Sequence, residues 1–157
     1  MLLQMTGFSG AGKTTIAILV AQRLREEGLA VEVIDGDVYR LNLCSDLGFT
    51  KEARNENIRR LGFVGQLLAR NNVIAILAAI NPYEDIRNEI GGDKVFIKCS
   101  LDKAIERDTK GLYAKALKGE IKRFTGISDP FETPVDPEIV IDTDKETVSE
   151  SVEKLYS

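Results

Sequence analysis

The chain has 157 residues, 43% hydrophobic and 29% charged, fractions ordinary for a globular protein and a length that buries a core without metal or disulfide staples. A formal charge of −4 argues against a protein that works by gripping duplex nucleic acid, because that binding needs an excess of Lys and Arg over the acidic residues. Histidine is absent, which removes imidazole acid–base catalysis, a Ser-His-Asp triad and any His-ligated metal site.

The first apolar run, Leu2 to Met5, reads as a short strand. No basic segment followed by a long apolar stretch precedes it, and no run approaches the ~20 residues that span a bilayer, so a cytoplasmic protein without membrane contact is expected. Gly7-Phe8-Ser9-Gly10-Ala11-Gly12-Lys13-Thr14 follows and matches G-x-x-x-x-G-K-[ST] at every fixed position. The motif sits where its mechanism requires, after a strand and opening a helix. Its glycines let backbone N–H groups converge on phosphate oxygens, Lys13 reaches the β and γ phosphates, and Thr14 offers a hydroxyl to Mg²⁺. Gly7, Ser9, Gly10, Ala11, Gly12, Lys13, Thr14 and Thr15 are therefore the candidate ATP-binding residues.

Thr14 to Glu27 repeats apolar residues at helical spacing until Gly28 stops it, and Val31 to Ile34 reads as a second strand. Asp35-Gly36-Asp37 then falls at the carboxyl edge of the sheet beside the phosphate loop. Carboxylates there can organise Mg²⁺ or accept a proton from an acceptor hydroxyl; the competing reading is a tight Asp-Gly turn. Arg40, Arg54, Arg59 and Arg60 come next, interleaved with Asn55 and Asn57. Such charges on a helix are commonly a solvated face, but beside a nucleotide site they form a fork for the oxygens of a substrate carrying phosphate or sulfate. Glu52 to Asn71 is a helix by periodicity.

Val73 to Leu77 is apolar without alternation, as a parallel strand buried on both faces would be. The run ends at Ile80-Asn81-Pro82 rather than in the acidic residue of a Walker-B strand, and no Asn-Lys-x-Asp motif is present, so motor and GTPase readings weaken. Lys94 to Lys98 and Ile139 to Ile141 are further strands, and a capping box at Thr143-Asp144-Lys145-Glu146 predicts the start of the last helix. Cys44 and Cys99 lack Cys-x-x-Cys spacing and read as reduced thiols. Asp108 to Pro137 breaks the rhythm: it has one short helical candidate, Leu112 to Leu117, with basic and aromatic residues that favour a lid over a plain surface excursion. There Arg107 and Lys110 would neutralise charge as the γ-phosphoryl moves. Phe49 and Phe124, in or beside loops flanking the basic groups, are either core residues or platforms for a base. The βαβα order implies an α/β fold, a parallel sheet covered by helices on both faces, with residues 1–157 as one domain and 108–137 as its mobile lid.

GFSGAGKTT from Gly7, DGDVYR from Asp35, LGFTKEARNENIRR from Leu47, INPY from Ile80, RDTKGLY from Arg107 and GEIKRFTGISDPFETP from Gly119 together resemble the adenylyl-sulfate kinase (APS kinase) family over nearly the whole chain. The resemblance implies a P-loop kinase, usually a homodimer, that uses MgATP to phosphorylate the 3′-hydroxyl of adenylyl sulfate. It implies acceptor contacts at Asp37, Arg40, Phe49, Arg54, Asn57, Ile80, Lys110 and Phe124, with the adenine between the two phenylalanines; Asn81 is expected to hold the acceptor or its neighbouring loop because its amide offers both donors and acceptors, the competing reading being the start of an Asn-Pro turn. Lys13, Asp37 and Lys110 are then the catalytic candidates, Thr14 and Asp37 the metal ligands, and Arg107 an ATP contact. The family typically has Ser where Asn81 stands, and that serine is associated with a phosphorylated form in some members. An amide cannot take that role, so direct in-line transfer is expected. Glu84 also stands where a basic residue is frequent. A kinase of the same fold for another hydroxyl compound would lack the two phenylalanines and the lid motifs, and a non-catalytic nucleotide-binding subunit would have lost Lys13 or Asp37.

Overall fold

Side chains alternate across a strand, and that alternation divides the core of this protein in two. In the computed structural model, which describes residues 1–107, 111–120, 124–126 and 129–156, β3 (Ile74–Ala78) sends Ile76 and Ala78 to one face and Ala75 and Leu77 to the other. Both faces are buried, as the uninterrupted apolar run requires. β3 lies within a five-stranded parallel sheet of order β2-β3-β1-β4-β5. The other strands are β1 (Leu2–Thr6), β2 (Val31–Asp35), β4 (Asp93–Lys98) and β5 (Ile139–Asp142).

One face of the sheet is covered by α1 (Lys13–Glu26) and α7 (Val148–Tyr156), whose Ile16, Val20, Val152 and Leu155 pack with Met5, Val95, Ile97 and Ile141. The other is covered by α3 (Lys51–Arg70) and α4 (Glu84–Ile90), through Ile58, Leu61, Ile86 and Ile90 against Leu2, Ile34 and Leu77. Thr50 caps α3 by accepting the Ala53 N–H at 3.1 Å. No helix among the described residues is long and apolar enough to cross a membrane, and both cysteines are buried free thiols.

Three short helices escaped the periodicity reading. α2 (Gly36–Leu43) grows directly out of β2, α4 follows the Asn81-Pro82 turn, and α5 (Leu101–Arg107) follows β4; with seven or eight residues each they show too few turns for a clear stripe. α6 (Leu112–Leu117) coincides with the helical candidate in the expected lid. The last helix begins later than its expected box. Thr143 to Glu146 forms the turn after β5, where the Asp142 N–H donates to Glu146 Oε2. The working capping box is Thr147 to Glu150: the Glu150 N–H donates to Thr147 Oγ1 at 3.2 Å and the Thr147 N–H to Glu150 Oε1 at 3.1 Å.

Candidate active site

The phosphate loop joins β1 to α1, and its shape is enforced from both sides. A Cβ on Gly7 would lie 2.6 Å from the Ile97 carbonyl oxygen of β4, so only glycine fits there. Gly12, with φ of 105°, turns the chain into the helix through a conformation that L side chains rarely adopt. The loop's carbonyls are held by side chains. Tyr113 Oη donates to Ser9 O at 2.7 Å, Arg107 Nη1 to Gly10 O at 3.2 Å, and Thr143 Oγ1 to Ala11 O at 2.9 Å. Because a peptide plane points its carbonyl and the next N–H in opposite directions, the anchors on Ser9 O and Ala11 O turn the N–H groups of Gly10 and Gly12 toward the cleft the loop lines, while the Ala11 N–H donates to Phe8 O at 3.1 Å. Lys13 is buried and donates to the Gly7 and Phe8 carbonyls, both at 2.8 Å.

Arg107 lines the same cleft as the phosphate loop and has a structural task there as well. Its guanidinium grips Gly10 O and, at 2.9 Å, Thr143 O, so it braces the loop from α5. Cys99 packs beside this brace, and burial pushes its thiol above the usual range, against the opposing pull of Arg107. Tyr113 and Thr143 are functional anchors that sequence reasoning missed; nothing local marks a tyrosine or threonine whose partner is the phosphate loop.

From the loop a single cleft of about 910 Å³ runs across the carboxyl edge of the sheet, a volume at the upper end of small-molecule sites. Asp37, Arg40, Phe49, Arg54, Asn57, Ile80, Asn81 and Phe124 all line it, together with Ser9, Gly10, Ala11, Gly12, Lys13, Thr14 and Thr15. Lys110 lies outside the described residues. Asp37 sits in the first turn of α2, which Asp35 caps by accepting the Asp37 N–H at 3.0 Å. Arg40 donates to the carbonyls of Leu47 and Gly48 and lies 4.4 Å above the Phe49 ring, fixing an aromatic face that is 57% exposed. Phe124 faces the cleft from the opposite chain segment, with its ring edge-on to Tyr113 at 4.9 Å. Arg54 reaches from α3 to Asp129 Oδ2 at 3.1 Å and to Thr125 Oγ1. Asp129 and Thr125 were not anticipated either.

Two buried amide oxygens, Asn57 Oδ1 and Asn81 Oδ1, belong to cleft-lining residues and accept no hydrogen bond from the described residues. Such atoms cost free energy until a donor arrives. The Asn81 amide nitrogen turns inward and donates to Gln4 Oε1 at 3.0 Å. Thr14 Oγ1 donates to Asp35 Oδ2 at 3.3 Å, so a hydroxyl and a carboxylate meet beside the phosphate loop with Asp37 two residues on. This donor set fits Mg²⁺, which takes few protein oxygens and completes its shell with water and phosphate; no cage of three acidic or thiol ligands occurs among the described residues.

A phosphate-binding loop opening into the same cleft as a carboxylate, arginines and an exposed aromatic face defines an ATP-dependent kinase of the P-loop class. Comparison with known proteins narrows that class. The chain belongs to the adenylylsulphate kinase family, which it matches over residues 1–142. It is 55% identical over 157 residues to the adenylyl-sulfate kinase of Rippkaea orientalis, covering 97% of this chain and 87% of that one. To the adenylyl-sulfate kinase of a Picosynechococcus it is 52% identical, covering 96% and 88%. Among solved structures, the Mycobacterium tuberculosis APS kinase CysC in complex with AMPPNP and APS superposes with a TM-score of 0.92 at 37% identity, covering 98% of this chain and 94% of that one. The shikimate kinase of Aquifex aeolicus, at 20% identity and TM-score 0.54, shares the fold.

Proposed function

We propose that the protein transfers the γ-phosphoryl group of MgATP to the 3′-hydroxyl of adenylyl sulfate, giving ADP and 3′-phosphoadenylyl sulfate. The observation that carries this reading is the continuity of the cleft: the phosphate loop and the Asp37, Arg54 and Phe49 side chains face one space. In the reaction the 3′-oxygen forms a bond to the γ-phosphorus as the bond to the β,γ-bridging oxygen breaks, and the hydroxyl proton passes to the Asp37 carboxylate. Lys13 leaves the Gly7 and Phe8 carbonyls for the phosphate oxygens and balances the charge that moves to the leaving ADP. Thr14 and Asp37, with Asp35 beside them, would hold Mg²⁺, which neutralises phosphate charge.

On the acceptor side Arg40 and Arg54 meet the anionic phosphosulfate, and Phe49 and Phe124 enclose the adenine. Asn57 and Asn81 offer their unsatisfied oxygens to donors of the nucleotide. The mycobacterial APS kinase in complex with AMPPNP and APS supports a reading in which two nucleotides share one such cleft. Residues 1–157 form one kinase domain in this reading, and 108–137, including Lys110, act as the lid. Exposed Leu41 of α2 and Phe63 and Leu67 of α3 support a homodimer, and dependence on ATP supports a cytoplasmic location. Incubating the protein with ATP, Mg²⁺ and adenylyl sulfate, and following ADP release, tests the assignment. ADP release that depends equally on an unrelated hydroxyl compound would favour a kinase of the same fold with another substrate.

A further inference from the structure

Beneath the cleft floor lies a buried polar network whose Thr6, Glu84 and Arg87 are not among the residues that line the cleft. Arg87, on α4, is fully buried. Its Nε donates to Asn81 O at 2.9 Å, its Nη1 to Glu84 Oε2 at 2.8 Å, and its Nη2 to Thr6 Oγ1 at 3.1 Å. Thr6, the last residue of β1, turns its hydroxyl proton to the carbonyls of Ile80 and Asn81, at 2.8 and 2.7 Å. The next residue, Gly7, donates its N–H to Ile80 O at 3.2 Å. Asn81, between these contacts, holds a left-handed φ of 49°.

A buried arginine is weak evidence for stability, because apolar side chains of similar volume often serve as well. What the network does supply is a rigid link. Its one end is the residue before the phosphate loop, and its other is the Ile80-Asn81 segment that lines the acceptor half of the cleft. Glu84 extends the link: its Oε2 also accepts the Val135 N–H at 3.2 Å, its N–H donates to Glu132 Oε1 at 2.8 Å, and Lys94 Nζ meets its Oε1 at 2.7 Å. The last part of the expected lid, at Glu132 and Val135, is thereby tied to the same junction.

Resting on the proposed function, we infer that Thr6 and Arg87 are positioning residues for phosphoryl transfer: they fix the acceptor segment relative to the phosphate loop without touching either nucleotide. In-line transfer needs reacting atoms held near contact distance, and a displacement of ~1 Å can cost ~10²-fold in rate. Thr6→Val keeps the side chain's shape while deleting the hydroxyl that bridges Arg87 to the two carbonyls. Its single-turnover rate falls about 10- to 100-fold, while the dissociation constants of a non-hydrolysable ATP analogue and of adenylyl sulfate, each measured by calorimetry, stay within about threefold of wild type on the same scale. Thr6→Ser restores the hydroxyl and recovers most of the loss. Arg87→Lys, which keeps the charge but loses the planar fork, shows the same split and serves as the reading if Thr6→Val does not fold. A wild-type turnover rate in folded Thr6→Val overturns the inference even if the variant melts earlier, and so does an affinity loss as large as the rate loss. Absence of transfer by the wild-type protein would instead refute the proposed function itself.

Discussion

Replacing Arg54 by Met separates its ion pair from its proposed contact with the acceptor. In the protein Arg54 pairs with Asp129, and the two side chains are only 11% and 17% exposed. Removing one partner of a fully buried pair costs about 3–5 kcal/mol; because Asp129 keeps some water, we discount this to about 1–3 kcal/mol. For a chain of this size that lowers Tm by roughly 2–12 °C. The second loss is functional. If Arg54 also binds the phosphosulfate, deleting a hydrogen bond to a charged group removes about 1.5–3 kcal/mol, so kcat/KM for adenylyl sulfate falls about 10- to 150-fold while KM for ATP is unchanged. The double variant Arg54→Met/Asp129→Leu removes the stranded carboxylate and regains much of the melting temperature without regaining acceptor kcat/KM. Calorimetric melting and initial rates against each substrate supply all the numbers. Acceptor kcat/KM returning to wild type in the double variant would refute the reasoning, since Arg54 would then matter only for stability.

Asp37→Asn keeps the side chain's size and removes its basicity, so kcat falls by about 10²–10⁴-fold with nucleotide affinity retained in equilibrium binding; an equal loss of ATP affinity would make Asp37 a ground-state ligand. Burial alone would raise the Glu84 carboxyl, but hydrogen bonds from Lys94, Arg87 and the Val135 N–H together outweigh it and hold the group below the usual glutamate range. The stability this lends is present above the unfolded value of about 4.3 and is lost as pH falls toward the lower folded value. Glu84→Gln therefore melts below wild type at pH 7, and the gap narrows as pH drops below about 4; a gap independent of pH would contradict the ion-pair account. If 108–137 closes over the nucleotides, tryptic cleavage after the exposed Lys115 and Lys118 slows when ADP and adenylyl sulfate are both present, whereas unchanged cleavage would mark a plain surface segment.

How far the sequence could be read depended on how local the determinants are. The phosphate loop is eight consecutive residues whose types are dictated by one ligand, and β3 is one uninterrupted apolar run, so both were legible directly. That Arg40, Phe49 and Arg54 share one cleft was legible only through resemblance, since each taken alone fits a solvated face or a core equally well. The loop's anchors were not legible: Thr143 bonds a residue 132 positions away and Tyr113 one 104 positions away, and no local pattern encodes such a choice. The same applies to Thr6 and Arg87, 81 positions apart. At the last helix, two threonine–glutamate pairs at capping-box spacing follow one another, and only the turn that Asp142 makes with Glu146 decides that the second starts the helix. Asp35 fitted either a metal-organising carboxylate or a tight turn, because its partner, the Thr14 hydroxyl, is brought to it only by the sheet.

The central claim is that a single cleft carries the γ-phosphoryl group straight from ATP to the acceptor hydroxyl. Asn81 offers an amide, with its nitrogen already held by Gln4, and no hydroxyl to carry a phosphoryl group. The direct measurement is to incubate the protein with γ-labelled ATP and Mg²⁺, with and without adenylyl sulfate, and to resolve nucleotides and denatured protein separately. Label is expected in 3′-phosphoadenylyl sulfate, one per ADP formed, and none on the protein in either case. Stoichiometric label on the protein that chases into product, or no labelled acceptor at all, would contradict it.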